Sequence, residues 1–178
     1  YEDDHTTADR VAFFERTIES IAAIPGVEGV GAVSAAPFIA ANLDIQRAIH
    51  RLDAPPSREG EEPQTYVSVA TPTYFQTLGI PVLRGRGFTV DDRADGAPVA
   101  VVNETLQRQL FGNEDPLGRQ VRIGTGTTGI EIVGVVGDVR HTGLDAEPRP
   151  EIFFAHAQSG SGSMTYYGRA SASPGALL

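Results

Sequence analysis

Apolar residues at Val11, Phe14, Ile18 and Ile21 recur three and four apart behind Thr6 and Thr7, which gathers them on one helical face. The spacing predicts an amphipathic helix over Ala8–Ala23, stopped by Pro25 and Gly26. Val27–Ser34 is small, partly β-branched and Gly-spaced, which predicts a buried strand, and Gln64–Ala70 alternates with period two, which predicts another. Between them the pattern weakens from Pro37 to Pro63. The proline-rich, acidic stretch from Asp53 onward predicts an exposed loop or subdomain rim. Thr71 and Pro72 then predict an N-cap followed by proline at the first helical position. A short helix to Leu78, closed by Gly79, leads into a strand over Ile80–Arg84.

A second unit repeats this design. Pro98–Val102 predicts a strand that runs into Asn103 as N-cap, with Glu104 near the positive helix end, Leu106 and Leu110 on one face, and Gly112 as the stop. Asp115-Pro116-Leu117-Gly118 has turn chemistry, Arg119–Ile123 returns as a strand, and Gly124–Gly129 predicts a hairpin connection. Ile130–Val139 reads as a long strand in which Gly134 and Gly137 mark a bend or a close approach. Pro148 and Pro150 bracket a turn before a strand over Glu151–Ala155. Ser159–Ser163 reads as a flexible linker, and Met164–Ala170 as a strand returning to the first unit. The Gly85–Gly96 loop and the Ser159–Ser163 linker are the expected hinges.

Composition narrows the function classes. A hydrophobic content of 40% over 178 residues is enough to bury a core. No run approaches the roughly 18 apolar residues of a membrane helix. A net charge of −9 argues against nucleic acid and against anionic membrane surfaces, both of which need clustered cations. The absence of cysteine excludes disulfides, thiolate nucleophiles and Cys-based zinc sites.

The sharpest catalytic candidate is Asp138 with His141, joined by Glu147 or Glu151, because a carboxylate can orient an imidazole for general-base work. No Ser or Cys nucleophile motif accompanies the pair, so a strand end running into a polar turn is the better reading. His5, His50, His141 and His156 are scattered outside any H-x-x-x-H or H-E-x-x-H spacing. The acidic stretches Asp91–Asp95 and Glu59–Glu62 do not match an EF-hand and read as solvated loops. Gly124–Gly129 lacks the G-K-[ST] ending of a phosphate loop. Arg84 and Arg86 suit an anion or a partner carboxylate, against a default of ordinary surface ion pairs at a strand end. No catalytic, cofactor-binding or metal-ligating residue is assigned, and no cofactor is expected.

Four phrases in order carry a family resemblance. They are Tyr74-Phe75 to Gly79-Ile80 with Arg84-Gly85-Arg86, then Val102-Asn103-Glu104, Asp115-Pro116-Leu117-Gly118-Arg119, and Val135-Val136-Gly137-Asp138-Val139. Together they resemble the extracytoplasmic (periplasmic) core domain of MacB-type ABC transporter permeases, in particular the branch duplicated within one chain. The similarity runs from the first helix to the strand near Tyr166.

The resemblance implies an α+β fold with a porter-like subdomain of strand-helix-strand units, 1–92 and 158–178, incomplete at its C-terminal end. A small β-rich subdomain, 93–157, is inserted into it. It also implies a place between two membrane helices on the periplasmic side of the inner membrane. The implied work is coupling of membrane-helix motion to that side, for mechanical transmission or export, with ATP hydrolysed on a separate cytoplasmic subunit and no catalysis in this domain. The implied partners are a second copy of the domain, in the same or another permease chain, the cytoplasmic ABC ATPase, and a periplasmic protein. The alternative is capture of a lipid, peptide or lipoprotein in a cleft between the subdomains.

Overall fold

The computed structural model describes residues 6–35, 46–58, 60–140 and 147–171. Helix α1 spans Thr7–Ala22, and a capping box starts it: the Thr6 hydroxyl accepts the Asp9 N–H at 3.2 Å while the Asp9 carboxylate accepts the Thr6 N–H at 3.0 Å. Strand β1 (Val27–Val33) follows, then β2 (Gln46–Arg51), β3 (Gln64–Ala70), helix α2 (Tyr74–Leu78) and β4 (Val82–Gly85). The second half contains β5 (Val99–Asn103), α3 (Glu104–Phe111), β6 (Gln120–Ile123), β7 (Ile130–Val136), β8 (Glu151–Ala155), α4 (His156–Ser159) and β9 (Thr165–Ala170).

Three local expectations change. β2 forms inside the stretch read as loop. Its one large apolar residue, Ile49, is buried, and its backbone pairs with β3 at Gln46–Ala48 and with β6 at Ile49–Arg51. Thr71 does not cap a helix. Its hydroxyl accepts the Ala32 N–H at 2.9 Å and fastens the end of β3 to β1, so α2 starts at Tyr74 behind Thr73. A short helix, α4, forms after β8 where no element was expected, and ends at the first residue of the expected Ser159–Ser163 linker. There Gln158 accepts the Val99 N–H at 3.0 Å and donates to the carbonyls of Arg93 (3.1 Å) and Ala97 (2.9 Å), tying down the loop before β5.

The strands form one hydrogen-bonded sheet. Because β2 pairs with both β3 and β6, the strands β2, β6, β7, β5, β8 and β3 close into a ring. β1, with β9 beside it, continues from the last residue of β3, and β4 runs along the end of β7.

Ring closure explains the burial pattern. Ile49, Val121, Ile132, Ala100, Val102 and Ile152 point into one cluster, which α3 completes with Leu106 and Phe111. The alternate residues of β5 and β8, Val99, Val101, Phe153 and Ala155, face outward and meet Tyr74, Phe75 and Phe88. β5 is therefore buried on both faces, as its unbroken apolar run requires. The ring takes β2 and β3 from one side of residue 92 and β5–β8 from the other, with five parallel residue pairs between β3 and β8. No helix among the described residues is long and apolar enough to cross a membrane.

Candidate functional site

A dense polar junction lies where β5 becomes α3. Asn103 is 1% exposed and makes three bonds: its Oδ1 accepts the Leu106 N–H (3.0 Å) and the Glu151 N–H (2.9 Å), and its Nδ2 donates to the Arg149 carbonyl (2.8 Å). One side chain thus caps α3 and binds β8 to it. Asp138, just past β7, completes the helix start by accepting the Thr105 N–H (2.9 Å) and the Thr105 hydroxyl (2.8 Å), with Arg108 at 3.3 Å. A carboxylate in the first turn of a helix satisfies N–H groups that have no intrahelical acceptor.

Removing the Asn103 amide should therefore cost more than an ordinary cap. Asn103→Ala is expected to lose about 2 kcal/mol in urea unfolding, and Asn103→Asp, which keeps the acceptor and loses the donor, less than that.

Asp138 is committed to Thr105 and Arg108, and His141 lies outside the described residues. Glu147 is exposed. Glu151 is 1% exposed and accepts the buried Ser68 hydroxyl, with Arg149 at 3.9 Å. Of the histidines, His5 lies outside the described residues, His50 is half-buried on β2, and His156 is buried at the start of α4. Among the described residues no group of three or more His, Asp or Glu side chains is placed to hold a metal ion. Of the acidic stretch 59–62, Glu59 lies outside the described residues, while Glu61 is exposed and Glu62 half-buried.

The acidic stretch Asp91–Asp95 is not uniformly solvated. Asp92 is 7% exposed and accepts a two-pronged contact from Arg86 (2.8 and 2.9 Å) together with the Thr89 N–H (2.8 Å). Burial pushes its carboxyl up, but the bonds from Arg86 and Thr89 outweigh that and hold it below the usual range. The carboxylate that suits Arg86 is thus in the same chain. Arg84 pairs with Asp115 at 3.7 Å, both well exposed. With Arg86 N–H also bonded to the Val133 carbonyl (3.0 Å), the expected Gly85–Gly96 hinge is fastened to the sheet.

A second cluster has no counterpart in the sequence reading, because its bonded partners are up to 66 residues apart. Arg51, at the end of β2, bonds Asp53 (2.9 Å), Glu114 (2.9 Å) and the Leu110 carbonyl (3.2 Å), and its guanidinium lies 4.6 Å over the Phe111 ring. Arg119 also pairs with Asp53. The Arg51 bond, opposed by some desolvation, holds the Asp53 carboxyl down at about 2, and Arg51 likewise lowers Glu114. Both acids are depressed in the native state, so the stabilisation is complete above the unfolded carboxylate range near 4 and is lost as pH falls toward 2. Urea midpoints should drop across that window, and Asp53→Asn should flatten the drop.

An open groove of 490 Å³ lies along α1 between Arg10, Phe13, Arg16 and Gly162, with Phe13 56% exposed on its wall.

These junctions define a mixed α and β module whose buried polar side chains are used to join its elements. The chain belongs to the MacB-like periplasmic core domain family, whose sequence profile matches residues 4–174. The macrolide export ATP-binding/permease protein MacB of Aggregatibacter actinomycetemcomitans is 34% identical over 65 residues, 36% of this chain and 10% of that protein. The probable syringafactin export ATP-binding/permease protein SyfD of Pseudomonas syringae pv. syringae is 39% identical over 59 residues, 33% of this chain and 9% of that protein. The chain spans about a tenth of the length of these relatives. The crystal structure of the periplasmic region of MacB from Actinobacillus actinomycetemcomitans has the same fold, with a TM-score of 0.61 at 15% identity, over 92% of this chain and 67% of that one. The expected α+β class and family resemblance are both met.

Proposed function

We propose that this chain is the extracytoplasmic part of a bacterial ABC transporter permease on the periplasmic side of the inner membrane. There it passes membrane-helix motion, driven by ATP, to the outer compartment. The observation that carries this reading is the fastening of α3, β8 and the Gly85–Gly96 loop onto one closed ring through Asn103, Asp138 and the Arg86–Asp92 pair. A body joined in this way moves as a unit, because close-packed elements deform little. Two of the catalytic candidates, Asp138 and Glu151, hold elements together, which supports a non-catalytic role.

The relatives named above combine ATP binding and permease in one protein by name. A separate ATPase subunit is therefore a proposal that the parent reading frame decides. A second copy of the domain and a periplasmic protein are the proposed partners. The division into 1–92 with 158–178 and 93–157 is proposed as one of folding units that share the ring; 93–157 contributes β5, α3, β6, β7 and β8 to it.

The test places fluorophores at Glu19→Cys and Thr127→Cys of the full-length parent in proteoliposomes, with a third label on the membrane surface. Through the ATP cycle the distance within the domain should stay fixed while the domain-to-membrane distance changes. Domain-to-membrane distances that ignore ATP would overturn the reading. Capture of a lipid, peptide or lipoprotein is the second reading; the groove beside the exposed Phe13 favours it, although its lining belongs to 1–92 and 158–178 alone rather than to the expected cleft between the subdomains, and its mark is a distance within the domain that changes on adding the captured molecule.

A further inference from the structure

Helix α1 packs against β1 with Val11, Ile18 and Ile21 half-buried, and its one fully buried side chain, Phe14, meets α4 and β9. Phe14 stands edge-on to the His156 ring, with centroids 5.2 Å apart and planes at 85°, and its centroid lies 5.9 Å from that of Tyr166 on β9. His156 opens α4, is 2% exposed, and neither of its ring nitrogens has a hydrogen-bond partner among the described residues. At the other end of α4, Gly160 sits against Thr7, so closely that a Cβ there would overlap the Thr7 methyl. α4 is thereby held between α1 and the ends of β3 and β8.

A neutral imidazole tolerates this setting. An imidazolium would bring a charge and two unsatisfied N–H donors into it. Among the described residues, the elements packed against α4 offer no compensation. On α1, Asp9 is engaged with Thr6 in the capping box, and Arg10, one turn before Phe14 and on the face that bears Thr7, has the wrong sign. On β8 and β3 the titratable groups are Glu151 and Tyr66, which pair with each other in register at the strand ends away from α4. On β9 the nearby group is Tyr166, and in the loop that Gln158 fastens they are Arg93 and Asp95. Burial alone acts on the His156 ring, and it lowers its pKa.

We propose that His156 is an acid-operated latch for α1: the neutral ring holds the helix against the sheet, and protonation undocks it. The proposal stands apart from the transport reading, since it concerns only how α1 attaches. Undocking exposes the ring, whose ordinary value is near 6.5. A native value below the exposed one means the docked state has its full stability above about pH 6.5 and loses it as pH falls. The undocked-to-docked ratio then rises by up to about tenfold per pH unit below 6.5, until the native value is reached. This window lies above the carboxylate window near 4, so the two effects separate.

Hydrogen exchange of the 178-residue chain at pH 7.5, 6.5 and 5.5, corrected for intrinsic rates, tests the latch. Protection of residues 7–22 should fall up to about tenfold between pH 6.5 and 5.5 while β5 and β7 stay protected. His156→Leu should remove that pH dependence. The imidazole titration of the unsubstituted chain, followed by NMR, should place His156 below 6.5 and keeps the test decisive without any variant. The latch is overturned by an equal fall in His156→Leu, by no fall in the unsubstituted chain, or by a His156 ring that charges at or above pH 6.5 with α1 still protected.

Discussion

Gly134→Ala should destabilise the protein by about 3 kcal/mol, the upper part of the range for forcing atoms into a filled interior. In a domain of this size that corresponds to a melting temperature lower by roughly 6–12 °C. Gly134 follows a bulge in β7, where the register against β5 slips between Ala100 and Val101, and the chain leaving β4 crosses directly over it. A Cβ at Gly134 would overlap the Arg86 carbonyl oxygen, which is backbone and has no rotamer to yield. Relief requires lifting the Gly85–Arg86 segment off the sheet. That breaks the Arg86 N–H bond to Val133 (3.0 Å) and strains the Arg86–Asp92 pair, which depends on the same segment. Gly168→Ala is the control: it lies in β9 with open space around its would-be Cβ, so its midpoint should move little. Equal behaviour of the two variants in thermal melts would show that the close approach at Gly134 is not a constraint.

That approach is half-legible from the residues. Gly134 inside an otherwise β-branched run signals that something passes close, but which segment passes is set by the pairing of β4 with β7, about fifty residues apart in the chain. The same division between local and non-local recurs elsewhere. β3 and β8 are readable because each carries enough apolar or β-branched residues to declare itself. β2 is not, because a strand with one large apolar residue, Ile49, takes its stability from backbone pairing to two neighbours that only the closed ring brings together.

The Asn103 cap is legible as a cap, since Asn before an amphipathic run is a local signal. Its bonds to Arg149 and Glu151 are not, being 46 and 48 residues distant. Asp138 offers two local readings. An acidic residue near a histidine suggests general-base chemistry, whereas its position at the open N-terminus of α3 assigns the carboxylate to Thr105. Thr71 followed by proline imitates a helix start so well that only the burial of its hydroxyl against Ala32 reveals a cross-strand fastener.

Phe153→Ala should have the largest effect of any single truncation, about 4 kcal/mol, the middle of the range for deleting a buried phenylalanine. Phe153 is 1% exposed on the outward face of β8, with its ring edge-on to Phe75 at 5.1 Å and tilted against Tyr74 at 6.2 Å. Phe88 in turn lies 6.0 Å from Phe75, so one ring on β8 supports both α2 and the loop that Arg86 and Asp92 fasten. The cavity would open on the face that unites α2, Val33 of β1 and Tyr167 of β9, while the ring interior around Ile132, Val102 and Leu106 keeps its own packing. Hydrogen exchange should therefore show protection lost first over Tyr74–Leu78 and around Phe88, with Val121 and Ile132 losing it only at global unfolding. Uniform loss across both clusters would mean that the two faces form a single cooperative unit. Phe13→Ala, which removes a ring of the same size from an exposed position on α1, should change stability by no more than about 0.5 kcal/mol. The contrast bears on the proposed coupling. A body that transmits displacement must carry it across the joint between α2 and β8, and Phe153→Ala softens that joint while sparing the groove beside α1. In the full-length parent it should weaken the domain-to-membrane distance change per ATP turnover without altering any binding at the groove.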